Sequence, residues 1–313
     1  MIVTVTLNAA LDRTLSVPNF QMNLRHRASA SLTLPGGKGV NVARALKRLG
    51  QPVIATGLAG GRTGTSIIEQ LTAEGILNDF VRIADESRTS TAVIDPTATQ
   101  QTEINEYGPS VTEAELDVLM EKLRYLSKGA DVVVLAGSLP RDVPDEFYAT
   151  LIRELRRRKL VTALDSDGQP LRAGLAAEPT FVSPNRREAE EIVGHEFSDE
   201  ADVAAAAASL THHGAENALL HDEEGCVARV REGRKARTWR ARFTPREGLS
   251  TVGSGDSFLA GFLAAWYAKE PPQAALRLGV ACGAANTQTL GAGVFDPADV
   301  EAFARQVEVT ALE

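Results

Sequence analysis

Residues 131–164, DVVVLAGSLPRDVPDEFYATLIRELRRRKLVTAL, decide the fold. Asp131 to Ala136 is a short, continuous apolar run, the pattern of a strand buried on both faces. Gly137-Ser138-Leu139-Pro140 ends it, Asp145 to Arg158 carries apolar residues at helical spacing, and Leu160 to Leu164 is a second buried strand. Strand, helix and strand in this order make a βαβ crossover, and crossovers build parallel sheets. The alternation continues in both directions. A helix is expected at Thr112 to Ser127 before it; after it come a strand at Thr180 to Val182, helices at Arg186 to Val193 and Ala201 to His213, and a strand at Asn217 to Leu220. The last third reads as helices at Gly255 to Tyr267, Pro272 to Leu290 and Pro297 to Val307. The chain opens with an apolar, β-branched strand, Ile2 to Leu7.

Four segments break the pattern. Arg13 to Val17, Arg27 to Leu34, Ser90 to Asp95 and Gln101 to Glu106 mix small, polar and apolar residues, as strands with one wet face do. The helical stretch Gly39 to Leu49 lies between the second and third, so they would meet only in space, as a small lid sheet beside the main domain. A single domain of 313 residues is expected, with a β lid from about 12–35 and 88–107.

With 43% hydrophobic, 24% charged and 5% aromatic residues the chain can bury a full core. A net charge of −8 argues against general affinity for nucleic acid or an anionic membrane, since both require a basic face. The two cysteines, Cys226 and Cys282, form no disulfide framework, and no apolar run is long enough to span a bilayer. A cytoplasmic protein is expected.

Thr251-Val252-Gly253-Ser254-Gly255-Asp256 leads into the apolar-periodic helix. Glycines before a helix free backbone N–H groups and admit a phosphate, and the helix dipole favours its charge. Gly253, Ser254 and Gly255 would make an anion hole, with Asp256 beside it as a base; alternatively, Ser254 or Asp256 is only an N-cap. Pro35-Gly36-Gly37-Lys38-Gly39-Val40-Asn41 is a second glycine turn into a helix. Lys38 offers charge and Asn41 a donor and an acceptor, without the Walker A spacing. Asn185 and Glu188 stand at capping-box distance, and Glu188 could equally face phosphates and organise magnesium through water. Ser138, beyond a buried strand's carboxyl end, could face substrate.

In this order, the elements resemble the ribokinase-like superfamily, specifically its phosphofructokinase B sugar-kinase family. Asn8-Ala9-Ala10-Leu11-Asp12 is similar to the family's opening N-P-A-[IL]-D, GGKGVNVAR to its N-terminal signature, SPN-x-x-E to its magnesium-associated segment and GSGDSFLAGF to its C-terminal G-A-G-D signature. The resemblance implies a three-layer α/β/α domain with a mostly parallel sheet. It assigns Asp256 as base and Gly253, Ser254 and Gly255 as the cradle of the transferring phosphoryl group. Asp12, Gly37, Lys38 and Asn41 would hold the sugar. Arg88, Ser138, Arg25 and Arg27 would meet its existing phosphate, although a solvated strand face explains Arg25 and Arg27 equally well. Asn185, Gly225 and Asn286 would contact the nucleotide. Mg2+ and ATP are implied, as is K+ near Gly291 to Phe295, and a homodimer through the exposed lid strands.

Lys38, Arg88-Thr89 and Gln101-Thr102-Glu103-Ile104-Asn105-Glu106-Tyr107-Gly108-Pro109 point to the 1-phosphofructokinase and tagatose-6-phosphate kinase branch. The 6-phosphofructokinase branch carries an arginine where Glu103 stands. The implied reaction is phosphorylation of tagatose 6-phosphate or fructose 1-phosphate. The alternatives are a kinase of an unphosphorylated sugar such as fructose, a 6-phosphofructokinase, and a catalytically weak sugar-phosphate sensor. Ala9, Ser183 and Ser254 depart tolerably from the pattern. Leu219-Leu220-His221-Asp222-Glu223-Glu224-Gly225 departs more, keeping only Gly225 of the family's S-L-G-x-x-G. Its three acids should weaken nucleotide binding unless they turn away.

Overall fold

The computed structural model describes all residues but Thr99, Arg234, Pro245, Glu247 and Glu313. A central sheet of 11 strands runs, in spatial order, Glu308–Leu312, Lys235–Arg242, Gly225–Glu232, Asn217–Asp222, Phe181–Val182, Val161–Asp165, Val132–Ala136, Ile2–Thr6, Val53–Gly60 and Leu77–Asn78, with Val81–Ile83 also paired to Val53–Gly60. From Asn217–Asp222 to Leu77–Asn78 every pairing is parallel. The other end is antiparallel.

The strand Val132–Ala136 shows why three layers form. Val132, Val134 and Ala136 enter one hydrophobic core, and Val133 and Leu135 the other. All five are buried, so a strand with no wet face demands helices on both sides. One side receives Lys38–Arg48, Gly61–Ala73, Ser254–Tyr267, Pro272–Thr287 and Pro297–Ala304. Glu113–Leu126, Phe147–Arg157, Gly168–Leu175, Arg186–Val193 and Glu200–His212 cover the other. Phe181 fastens the helix Ser254–Tyr267 to the sheet, edge-on to Phe262 and Trp266 with ring centroids 5.3 and 5.4 Å away.

The lid is a separate four-stranded sheet in the order Ala30–Gly36, Ala10–Ser16, Arg88–Asp95, Gln100–Asn105. Several expected bounds need correction: the strand foreseen from Arg13 begins at Ala10, and the helix foreseen to Val307 ends at Ala304. The strand foreseen from Arg27 begins only at Ala30, so Arg25 and Arg27 lie in the exposed connection before it. The helix foreseen to Leu290 ends at Thr287.

Candidate active site

Parallel strands deliver their carboxyl ends to one edge of the sheet, and a cleft of about 1890 Å³ opens there. Asn8 follows Ile2–Thr6, Ser138 follows Val132–Ala136, Asp165 ends Val161–Asp165, Asn185 follows Phe181–Val182, and His221 and Asp222 end Asn217–Asp222; all six line the cleft. The lid supplies the opposite wall through Asp12, Arg88, Gln101 and Glu103.

Asp256 occupies the first turn of the helix Ser254–Tyr267, where the dipole supplies positive charge. Gly253 enters that turn with φ of 79°, and a Cβ on it would lie 2.4 Å from the Ala292 Cβ, so only glycine fits. The Ser254 amide already donates to the Thr251 carbonyl at 3.2 Å, which leaves Gly253 and Gly255 as the more available donors of the hole. The His221 ring lies against Gly255 and tilts over Phe258 at 5.5 Å. Burial pushes the His221 imidazole below its ordinary pKa.

The Asp256 carboxylate is 6% exposed and accepts from Asn41 Nδ2 at 2.8 Å. Burial raises its pKa to about 7, with the Asp165 charge adding to the rise and Lys38 and Asn41 opposing it. Arg44 aims the Asn41 amide. Its Nη1 donates to Asn41 Oδ1 at 3.3 Å and to the Ala292 carbonyl at 3.0 Å, while Glu74 grips the guanidinium at 2.5 and 3.0 Å. The arginine of GGKGVNVAR is therefore a positioning residue, a role that its place in a motif did not reveal.

Lys38, expected to hold the sugar, lines the cleft and is ion-paired there. Its ammonium donates to Asp165 Oδ1 at 2.6 Å and Glu188 Oε1 at 3.2 Å. Burial alone would lower its pKa; Asp165, Glu188 and Asp256 outweigh that and hold it charged. Asn185 and Glu188 do form the capping box, each side chain accepting the other's backbone N–H at 2.9 Å. Burial raises the pKa of the Glu188 carboxyl. The capping role is therefore present, and the second carboxylate oxygen, Oε1, accepts from the Lys38 ammonium.

At the lid end, Asn8 gathers two residues expected to meet the sugar's phosphate. Its carbonyl accepts from Arg88 Nε at 3.3 Å and its Nδ2 donates to Ser138 Oγ at 3.1 Å. The Asn8 Oδ1 is buried and has no partner. Asp12 is raised to about 6 by burial, against the pull of Arg88 and Arg44 and with Glu103 adding to the rise. Gly37 and Asn41 line the same cleft, whereas Arg25 and Arg27 are exposed and outside its lining.

On the nucleotide side, Asn286 is fully buried and braces the loop: its Nδ2 donates to the Val252 carbonyl at 2.8 Å, and its Oδ1 accepts from Ser257 Oγ at 3.0 Å and the Gly293 amide at 2.8 Å. It does not line the cleft. Gly225 does, yet its φ is 136° and a Cβ added to it would lie 2.2 Å from the Ala241 carbonyl oxygen, so the hairpin Gly225–Arg242 already requires glycine there. The acids beside it are largely neutralised. Arg240, 4% exposed, donates to Asp222 at 3.0 Å and Glu224 at 3.1 Å and lies 3.5 Å from Glu200.

A glycine-flanked helix start, a buried carboxylate at its first turn and a lid wall bearing Asp12 and Arg88 thus face one cleft. Residues 6–299 match the pfkB family of carbohydrate kinases. The chain belongs to that family. It is 32% identical to the 1-phosphofructokinase of Borreliella burgdorferi over 91% of both chains, and 30% identical to a tagatose-6-phosphate kinase of Staphylococcus epidermidis over 99% of both. Phosphofructokinase-2 of Escherichia coli, solved in complex with substrates and products, superposes with a TM-score of 0.89 at 28% identity over 97% of this chain and 98% of that one. This carbohydrate kinase has a ribokinase-like fold, and among its described residues no helix is long and apolar enough to cross a membrane.

Proposed function

We propose that this kinase transfers the γ-phosphoryl group of MgATP to a hydroxymethyl oxygen of a phosphorylated ketohexose, tagatose 6-phosphate or fructose 1-phosphate, forming the bisphosphate. The observation that carries this reading is Asp256, a buried carboxylate at a helix N-terminus whose pKa of about 7 suits a base at neutral pH. As the sugar oxygen bonds to the γ-phosphorus, its proton passes to Asp256, and the electron pair of the breaking P–O bond leaves on ADP. Gly253 and Gly255 donate to the phosphoryl oxygens. Asp12 orients the sugar, and Arg88 with Ser138 takes its phosphate; their meeting around Asn8 and the names of the similar enzymes support a phosphorylated acceptor.

Among the described residues no group of three or more His, Cys, Asp or Glu is arranged to hold a metal directly. Mg2+ would be held by phosphates and water, with Glu188 and Asp165, which share the Lys38 ammonium, reaching it through water. When bound, Mg2+ neutralises charge on the β- and γ-phosphates. The E. coli relative has been solved with potassium, which supports K+ beside Gly291 to Phe295 here. The lid exposes Phe20, Met22, Leu24, Ile104 and Tyr107, an apolar set that a homodimer through the lid would cover. The proposed setting is the cytoplasm.

A coupled ADP-release assay with tagatose 6-phosphate, fructose 1-phosphate, fructose 6-phosphate and free fructose tests the substrate, with product mass as confirmation. Turnover is expected with the first two. Asp256→Asn should lower kcat by about 10²- to 10⁴-fold with sugar binding nearly intact. Near-normal turnover in that variant removes Asp256 from the role of base, and turnover on free fructose alone overturns the substrate class.

A further inference from the structure

The lid touches the phosphate end of the site at one residue the reaction scheme has not used. Gln101 stands on the outermost lid strand, Gln100–Asn105, and its Oε1 reaches across the cleft. It accepts from Ser250 Oγ at 3.1 Å and from the Thr251 amide at 3.4 Å. Both partners belong to the loop that feeds the catalytic helix. Ser250, 6% exposed, accepts from the Val252 amide at 3.2 Å, and the Thr251 carbonyl accepts from the Ser254 amide at 3.2 Å. On the other side the loop is tied to the core through the Leu249 and Ser250 amides, which donate to the Thr287 carbonyl at 2.7 and 3.3 Å. Two bonds thus separate Gln101 from the Gly253–Gly255 turn.

On the lid, Gln101 Nε2 donates to Glu103 Oε1 at 2.7 Å, and the strand is paired through Arg88–Asp95 to Ala10–Ser16. Asp12, Arg88 and Gln101 therefore ride on one rigid sheet. A sugar phosphate that draws Asp12 and Arg88 down onto itself draws Gln101 onto Ser250 and Thr251 in the same movement. We propose that Gln101 is a positioning residue, a latch that seats the anion hole only when the lid is closed on the acceptor. This rests on the reading of the cleft as a sugar-phosphate kinase site and adds how the two ends of that site are coupled. The gain is protection of ATP: with the lid open the hole is misplaced, and attack by water, which would bond its oxygen to the γ-phosphorus, expel ADP and release a proton, is slow.

Gln101→Ala, Ser250→Ala and the double variant test it. In Gln101→Ala, kcat should fall about 10- to 100-fold, the KM for the sugar phosphate should change much less, and ADP released per bisphosphate formed should rise above the wild-type ratio. Gln101→Ala and Ser250→Ala together should cost less than the sum of the two, because both remove the same Gln101–Ser250 bond. Deuterium uptake gives an arm independent of turnover: sugar phosphate with a non-hydrolysable ATP analogue should protect the amides of residues 248–255 in the wild type and not in Gln101→Ala. Unchanged kcat and coupling ratio, additive losses, or equal protection in both proteins each overturns the latch. If the wild type forms no bisphosphate the sugar-phosphate reading fails instead, and the exchange arm still decides the latch.

Discussion

A carboxylate that accepts a proton at neutral pH must bind it more tightly than a free side chain does, and Asp256 achieves this through burial and the charge of Asp165. Since the base works only when ionised, kcat/KM should rise with pH through about 7 and level off above it. A flat profile down to about pH 5 counts against the assignment. The same shift bears on stability. A carboxyl with a raised folded pKa favours folding fully below its unfolded value and loses that contribution as pH climbs through the folded one. Asp256→Asn should therefore melt above the wild type at about pH 8, with the gap closing towards pH 4; a gap independent of pH would contradict the shift. Asp256 and Asn41 were legible in the sequence because glycine turns before helices advertise anion sites. Asp165 was not, since an acid ending a buried strand is commonplace until Lys38 and Asp256 are seen beside it. Gln101 stood only within a family pattern, and its bonds to Ser250 and Thr251 span 149 residues or more.

At the level of elements, the antiparallel end of the sheet was the least legible part. Gly225–Glu232 and Lys235–Arg242 alternate small or apolar residues with arginines and so read as polar chain, whereas Val132–Ala136 has no competing reading. Packing explains what periodicity missed: Trp239 and Ala241 enter the core while Arg240, between them, is buried against Asp222, Glu224 and Glu200. Two of the three acids that looked hostile to ATP, Asp222 and Glu224, are thus partners of one cation, while Glu223 stays exposed in the cleft lining. Arg240→Met should free them, costing about 1–3 kcal/mol of stability for the lost charged hydrogen bonds and raising the KM for MgATP more than that for the sugar. Equal KM values for MgATP in variant and wild type would show that the clamp has no bearing on the nucleotide.

Across the whole molecule, a lid sheet that leaves Met22 at 83% and Tyr107 at 90% exposed is suited to a partner. Sedimentation equilibrium should find a dimer, and Met22→Asp should shift it towards monomer; a monomeric wild type at tens of micromolar would end that pairing. The order of strands has a consequence of another kind. Ile2–Thr6 is synthesised before both of its neighbours, yet it lies in the interior of the sheet between Val53–Gly60 and Val132–Ala136. During translation its five buried residues must wait, exposed, until the second neighbour has left the ribosome, a delay of roughly ten seconds. Until then both edges of that apolar strand stand unpaired, and the protein's yield in the cell depends on how the strand is sheltered.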